Sequence, residues 1–172
     1  QNGLEDLKRV KEIAEMHNVE LVVYLSMAFG NPYGEEYHQE IVYERLLMAQ
    51  DAGADLISLS DTTGEGTTQK VIELCQMMTE TATVPWGAHM HSTYEDAIIK
   101  TQAAISAGCT RIDTALKGFG GCPFASDALI GNMPTEKVLT AIEDMKGYTH
   151  QLDPLEIESA YNNAMKVFGG KH

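Results

Sequence analysis

Trp86-Gly87-Ala88-His89-Met90-His91-Ser92 decides how this chain is read. It is a short apolar run that ends in two histidines separated by one residue. Side chains alternate faces along a strand with period two, so the two imidazoles are predicted to point the same way from the strand's end. About one helix later come Gly118-Phe119-Gly120-Gly121-Cys122-Pro123 and then Gly131-Asn132. Two imidazoles, a thiol on a glycine-rich loop and an amide beyond it predict the lining of one metal-containing pocket.

Outward from this stretch the same unit recurs. Leu21-Val22-Val23-Tyr24-Leu25 is a continuous apolar run, the pattern of a parallel strand covered on both faces, and Leu56-Ile57-Ser58-Leu59 is the next strand. Turn residues follow each run, and then a helical period. Residues 36–52 set Val42, Leu46 and Ala49 on one face and stop at Gly53, while Thr67 is a natural N-cap for a helix with Val71, Leu74, Cys75 and Met78 inward. A third strand spans 83–89, with Pro85 near its start where a missing amide is tolerated. Its helix presents Tyr94, Ala97, Ile98, Thr101, Ala104 and Ile105. Residues 110–115 predict a fourth strand, 135–145 a helix, and 154–167 a last one. The opening helix, 4–16, has no strand before it, so the start is read as mid-barrel.

Strands beginning near residues 21, 55, 84 and 110, each with its helix, are what right-handed βα crossovers require. No Gly-x-Gly-x-x-Gly follows a strand, which removes the signature of a dinucleotide fold. The predicted fold class is α/β: a parallel (β/α)8 TIM barrel, of which this chain supplies roughly the last four βα units. Residues 1–172 are expected to form the C-terminal half of a single TIM-barrel catalytic domain, with about 150–172 as a helical extension. Four parallel strands leave open edges, so completion by a missing N-terminal half, or assembly as a homo-oligomer, is expected.

The 172 residues suit one domain, and at this size folding buries roughly 70% of the unfolded surface. The 25 acidic residues against 12 basic ones argue against a nucleic-acid partner, which needs clustered Lys and Arg. No run of 18 apolar residues points to a membrane. Cys75, Cys109 and Cys122 are odd in number and widely spaced, which predicts a reducing, cytoplasmic setting and no disulfide framework.

Polar residues cluster where strands end: Ser26, Asp61, His89 with His91, and Thr114. In a (β/α) barrel that rim is the catalytic face. The histidines read either as two satisfied core imidazoles or as metal ligands, and their place at a strand end, with Asp61 on the strand before, favours the metal. Nitrogen and oxygen ligands together suit Mg, Mn, Zn or Fe. Cys75 and Cys109 read as small core hydrophobes. Cys122, between two glycines and a proline, is placed to move a proton if its pKa is tuned. Asn132 after Gly131 is a turn residue or an oxygen ligand. Asp61 could equally close the turn before Gly64, and Glu136 could serve the helix dipole of its first turn.

On these residues the chain resembles the 3-hydroxy-3-methylglutaryl-CoA (HMG-CoA) lyase family, within the DRE-TIM metallolyases built on a (β/α)8 barrel. The matching segments are Ser26-Met27-Ala28-Phe29-Gly30-Asn31-Pro32-Tyr33, Ser58-Leu59-Ser60-Asp61-Thr62, His89-Met90-His91-Ser92-Thr93-Tyr94, Gly118 through Ala125, and Gly131-Asn132 with Thr135-Glu136. The resemblance implies His89, His91 and Asn132 as ligands of a divalent metal, Mg or Mn favoured and Zn possible. It implies Cys122 as the loop cysteine of proton transfer and Asp61 as the acidic residue that helps hold metal water or substrate. Ser26, Thr93, Gly120, Gly121 and Glu136 are expected on the acyl-CoA thioester substrate. The implied reaction is a retro-Claisen type cleavage to acetyl-CoA and acetoacetate; an acyl-condensing synthase of the same superfamily, or an inactive half-barrel, is the alternative. The Arg–Asp pair that the family uses on its first barrel strand has no match here, and Ser126-Asp127-Ala128-Leu129-Ile130 makes a bulkier loop spacer than usual.

Overall fold

The computed structural model describes residues 3–121 and 130–169. Helix α1 (Gly3–Met16) leads into strand β1 (Val22–Leu25), α2 (Gln39–Asp51), β2 (Leu56–Ser60), α3 (Thr68–Thr81) and β3 (Trp86–His89). The three strands form one parallel sheet in the order β1-β2-β3, with Leu25, Leu59 and Ala88 in register across it. Sequential parallel strands joined by helices are the βα repeat that the sequence predicts.

The repeat follows from local chemistry. Thr67 caps α3, its hydroxyl accepting the Lys70 amide at 3.2 Å. Gly53, at φ +86°, turns the chain out of α2 in the left-handed region. Helix α2 begins later than its apolar period suggests. The Asn31 side chain accepts from the Tyr33 and Glu35 amides at 3.0 and 3.2 Å and holds the preceding stretch as a turn, and His38, in extended conformation, is the N-cap.

The core lies between the sheet and helices α2, α3 and α4 (Ala97–Ser106). Ile57 and Leu59 of β2 point into it and meet Leu46, Val71 and Met78. The opposite face of the same strand carries Ser58 and Ser60, also buried. Helix α1 packs only in part: Ala14 is buried, but Val10 and Ile13 are 48% and 55% exposed. Lys11 ties this helix to the β2 corner through Asp55 at 2.8 Å.

Two predicted strands differ from expectation. The third ends at His89 as expected but starts at Trp86, after Pro85, rather than at Thr83, and His91–Ser92 forms a separate two-residue strand, β4, antiparallel to β5 (Gly131–Asn132). Residues 110–115 make only isolated bridges, Ala88 to Ile112 and Ala115 to Pro134. Gly87 permits the first of these, because a Cβ there would come within 2.8 Å of the Arg111 carbonyl oxygen. A short 3-10 turn (Leu116–Gly118), α5 (Thr135–Glu143) and α6 (Pro154–Phe168) complete the described chain. Among the described residues no helix is long and apolar enough to cross a membrane.

Candidate metal centre

His89 ends β3 and His91 begins β4, yet their rings lie edge to face with centroids 5.2 Å apart. The strand breaks between them because Ser60 pairs with His89 on one side, whereas Asn132 pairs with His91 on the other. Met90, 1% exposed, is driven into the core at the break. The imidazoles therefore meet through two different sheets rather than through alternation along one strand.

His91 is hydrogen-bonded at Nδ1, and the Asp113 carboxylate stands beside Nδ1 of His89. His91 Nδ1 lies 3.2 Å from the Gly131 carbonyl oxygen. A carbonyl only accepts, so this nitrogen carries the proton and Nε2 keeps its lone pair. Burial foremost, then the neighbouring His89, pulls the pKa of His91 below its ordinary value; the Gly131 bond opposes this and Lys100 adds to it. Neutral imidazole is the ligating form. His89 Nδ1 lies 3.3 Å from Asp113 Oδ2. Asn132 faces His91 across the strand pair, and its Nδ2 donates to the Phe119 carbonyl at 2.9 Å, which leaves Oδ1 for another partner.

The loop interlocks closely around this amide. Gly118, at φ +68°, sits where a Cβ would lie 2.7 Å from the Asn132 carbonyl oxygen, and a Cβ on Gly131 would lie 2.7 Å from the Gly118 carbonyl oxygen. Gly120, Gly121, Gly131 and Asn132 share a cavity of about 540 Å³ with Ser92, Tyr94 and Lys117. Glu136 stands behind it. Its Oε2 accepts the Lys117 amide at 3.0 Å, while Oε1 is buried without a hydrogen-bond partner among the described residues.

Other candidates lie elsewhere. Ser26 lines a different groove, of about 460 Å³, between the exposed edge of β1 and helices α1 and α2. Thr93 turns its hydroxyl to Asp96 at 2.9 Å and accepts the Asp96 amide, which sets the entry to α4. Asp61 is 0% exposed. Both its oxygens lie 3.1 Å from the Gly66 amide, and Oδ2 is 3.7 Å from Lys100 Nζ. Burial raises its pKa, and Lys100 opposes that rise. Cys122 lies outside the described residues, as does the spacer up to Leu129. Cys75 and Cys109 are buried and free.

Three residues at this site escaped sequence reasoning. Lys100 is buried, and its ammonium donates to the His91 carbonyl at 3.0 Å. Asp113 accepts from Tyr24 Oη at 2.7 Å and faces His89. Tyr24 in turn meets the His89 ring edge to face, centroids 5.7 Å apart. Ile112 pairs with Ala88 on the core face, so Asp113 shares the other face with His89, a parity that the fold reveals and the sequence of this irregular segment does not.

The donor set fits a divalent ion. Two imidazoles bound to one ion through nitrogens about 2.0–2.1 Å from it hold their ring centroids on the order of 5 Å apart, in agreement with the observed 5.2 Å. Metal-binding histidines commonly engage their second nitrogen with a carboxylate or backbone carbonyl; His91 does so with Gly131, and His89 has Asp113 at 3.3 Å. Among the described residues no group of three His, Cys, Asp or Glu side chains could hold a metal, so an ion at His89 and His91 would need the Asn132 amide and an outside donor.

Over residues 4–163 the sequence matches the HMGL-like family. A mitochondrial hydroxymethylglutaryl-CoA lyase of Homo sapiens is 31% identical over 150 residues, which cover 87% of this chain and 46% of that protein. The cytoplasmic 3-hydroxy-3-methylglutaryl-CoA lyase of Danio rerio is 28% identical over 172 residues, covering 99% and 51%. The solved hydroxymethylglutaryl-CoA lyase of Pseudomonas aeruginosa superposes with a TM-score of 0.84 at 29% identity, over 96% of this chain and 55% of that one. The chain spans about half the length of the curated relatives it matches, and its sheet and helices match the C-terminal half of their (β/α)8 barrel. It belongs to the HMGL-like family.

Proposed function

We infer that the protein carrying this chain is a divalent-metal-dependent carbon–carbon lyase that cleaves 3-hydroxy-3-methylglutaryl-CoA to acetyl-CoA and acetoacetate. The observation that carries this reading is the pair of imidazoles at 5.2 Å, with Gly131 and Asp113 at their Nδ1 atoms and Asn132 across the strand bridge. His89, His91 and Asn132 would hold the ion, Mg or Mn before Zn. When bound it supplies Lewis acidity toward the substrate's hydroxyl and carbonyl oxygens.

The chain's own groups do the rest. Gly131 and Asp113 fix the rings. The neutral Nδ1–H form of His91 keeps its nitrogen available at neutral pH. Gly120 and Gly121 leave backbone open beside the cavity, where the thioester would lie. The buried Glu136 Oε1 calls for a donor, and the Tyr94 hydroxyl beside Glu136 or a hydroxyl of the bound substrate would supply it. Cys122 is assigned the protonation of the thioester enolate on the strength of the Gly-Gly-Cys-Pro resemblance. Ser26 lines another groove and the Thr93 hydroxyl is engaged with Asp96 in the turn before α4, so a substrate contact by either would need the complete barrel. The first-strand Arg–Asp pair would come from polypeptide outside these 172 residues or from a partner subunit. Buried thiols at Cys75 and Cys109 are compatible with any reducing compartment, the cytoplasm being the one proposed.

The test is cleavage of the HMG thioester by the complete protein with Mg²⁺ or Mn²⁺, with and without excess chelator, beside a Cys122→Ala variant. Turnover should need the ion, and the variant should lose most of it. Full turnover in chelator ends this reading. Release of CoA from acetyl-CoA only when a 2-oxo acid is added would replace it with a condensing synthase.

A further inference from the structure

We propose that Tyr24 and Asp113 are positioning residues for His89, forming a phenol–carboxylate–imidazole chain that fixes which ring nitrogen is left for the metal. The proposal rests on the metal-centre reading above. Tyr24 Oη donates to Asp113 Oδ2 at 2.7 Å, and the same oxygen lies 3.3 Å from His89 Nδ1. Arg111 Nε meets the other oxygen at 3.4 Å.

The fold makes this contact possible. Tyr24 pairs with Ser58, and Ser58 pairs with Gly87, so Tyr24 and Asp113 stand three strand positions apart on one face. In a flat sheet that is about 14 Å, farther than the two side chains span. The sheet must therefore curl, as a barrel wall does, and the small Ser58 and Gly87 leave the inner face clear for the phenol to cross.

Asp113 serves as an orienter and not as a ligand. Among the described residues it does not join both histidines in a group able to hold a metal. An ionised carboxylate only accepts, so it draws the His89 proton to Nδ1 and leaves Nε2 bare. Tyr24 occupies a lone pair of the same oxygen and keeps the carboxylate from rotating away. His91 is set by a backbone carbonyl from β5 instead, so the two rings are oriented by independent partners and one can be perturbed alone.

Two readouts on the complete protein test this. Imidazole ¹⁵N shifts of the metal-free protein give the His89 tautomer, and competition with a chelator gives its affinity for Mn²⁺ alone. The wild type should show His89 protonated at Nδ1. Asp113→Asn should shift that tautomer and weaken Mn²⁺ binding about 10–100-fold with a native circular dichroism spectrum. Asp113→Glu should recover part of the affinity. Should Asp113→Asn fail to fold, Tyr24→Phe decides: it leaves Asp113 and His89 in place and should mix the tautomers, with a smaller loss of affinity. An Nε2-protonated His89 in the wild type, or Mn²⁺ affinity unchanged in Asp113→Asn, overturns the proposal. A wild type with the expected tautomer that binds no Mn²⁺ overturns the metal-centre reading, and the positioning role falls with it.

Discussion

Replacing Lys100 with methionine is the most informative single change to the fold. Lys100 is 7% exposed, its ammonium 3.0 Å from the His91 carbonyl and 3.7 Å from the fully buried Asp61. Methionine fills a similar volume, so the change removes charge rather than packing. Breaking one side of a buried ion pair costs about 3–5 kcal/mol, because the remaining charge is left uncompensated. The 3.7 Å separation, and the Gly66 amide that Asp61 retains, place this case near the lower end, about 3 kcal/mol. Asp61 already sits above the ordinary carboxylate range through burial, and losing Lys100 pushes it higher. A carboxyl whose folded pKa is raised keeps its proton in the native state after the unfolded chain has released it. Stability then falls as pH rises from the ordinary aspartate value to the raised native one. Urea unfolding of Lys100→Met from pH 4 upward should therefore show a steeper decline than the wild type. Lys100→Met/Asp61→Asn should lose that slope and recover about 2 kcal/mol. A single variant within about 0.5 kcal/mol of wild type, or a double variant no better than the single, would refute the claim that the pair is coupled.

Three further outcomes are expected. Asp55 is held below the ordinary carboxylate range, first by the Leu21 amide and then by Lys11. Its stabilising contribution is present above the ordinary aspartate value and is lost as pH falls through the lowered native one, so Asp55→Asn should flatten the acid limb of thermal melts across that window. Thr67→Ala removes the hydroxyl that accepts the Lys70 amide and should cost about 1 kcal/mol in urea unfolding, with no change in Mn²⁺ affinity. Gly118→Ala puts a Cβ 2.7 Å from the Asn132 carbonyl oxygen at φ +68°, and should cost about 1–3 kcal/mol while weakening Mn²⁺ binding. Mn²⁺ affinity equal to wild type in that variant would mean that Asn132 is not part of the centre.

The repeat was legible because each element carries its own signal. Ile57 and Leu59 alternate with serines, Thr67 caps, and Gly53 turns the chain, all within a few residues of sequence. Lys100 was not legible. In Ala-Ile-Ile-Lys-Thr-Gln-Ala-Ala it reads as the polar position of a helix, and it is buried only because Asp61 and the His91 carbonyl arrive there from two other elements. Asp113 was hidden by the irregularity of residues 110–115. A segment with isolated bridges does not display its parity, and its rim candidate, Thr114, hydrogen-bonds Thr135 instead.

The histidine pair is the instructive case, because its nearness was legible and its cause was not. Alternation along one strand would tie the two rings to a single register. The structure instead hands His89 to β2 and Asp113 and gives His91 to β5 and Lys100. The join between these two supports is Met90, buried at 1% exposure where the strand breaks. The spacing of the rings therefore depends on how one apolar side chain packs, and a change in its volume should alter metal affinity without touching any ligand. Shape-compatible Met90→Leu should be tolerated, whereas Met90→Ala leaves a cavity costing about 2–5 kcal/mol and frees the two halves of the centre to move apart. Unchanged Mn²⁺ affinity in Met90→Ala would mean that the rings are held by their Nδ1 partners alone.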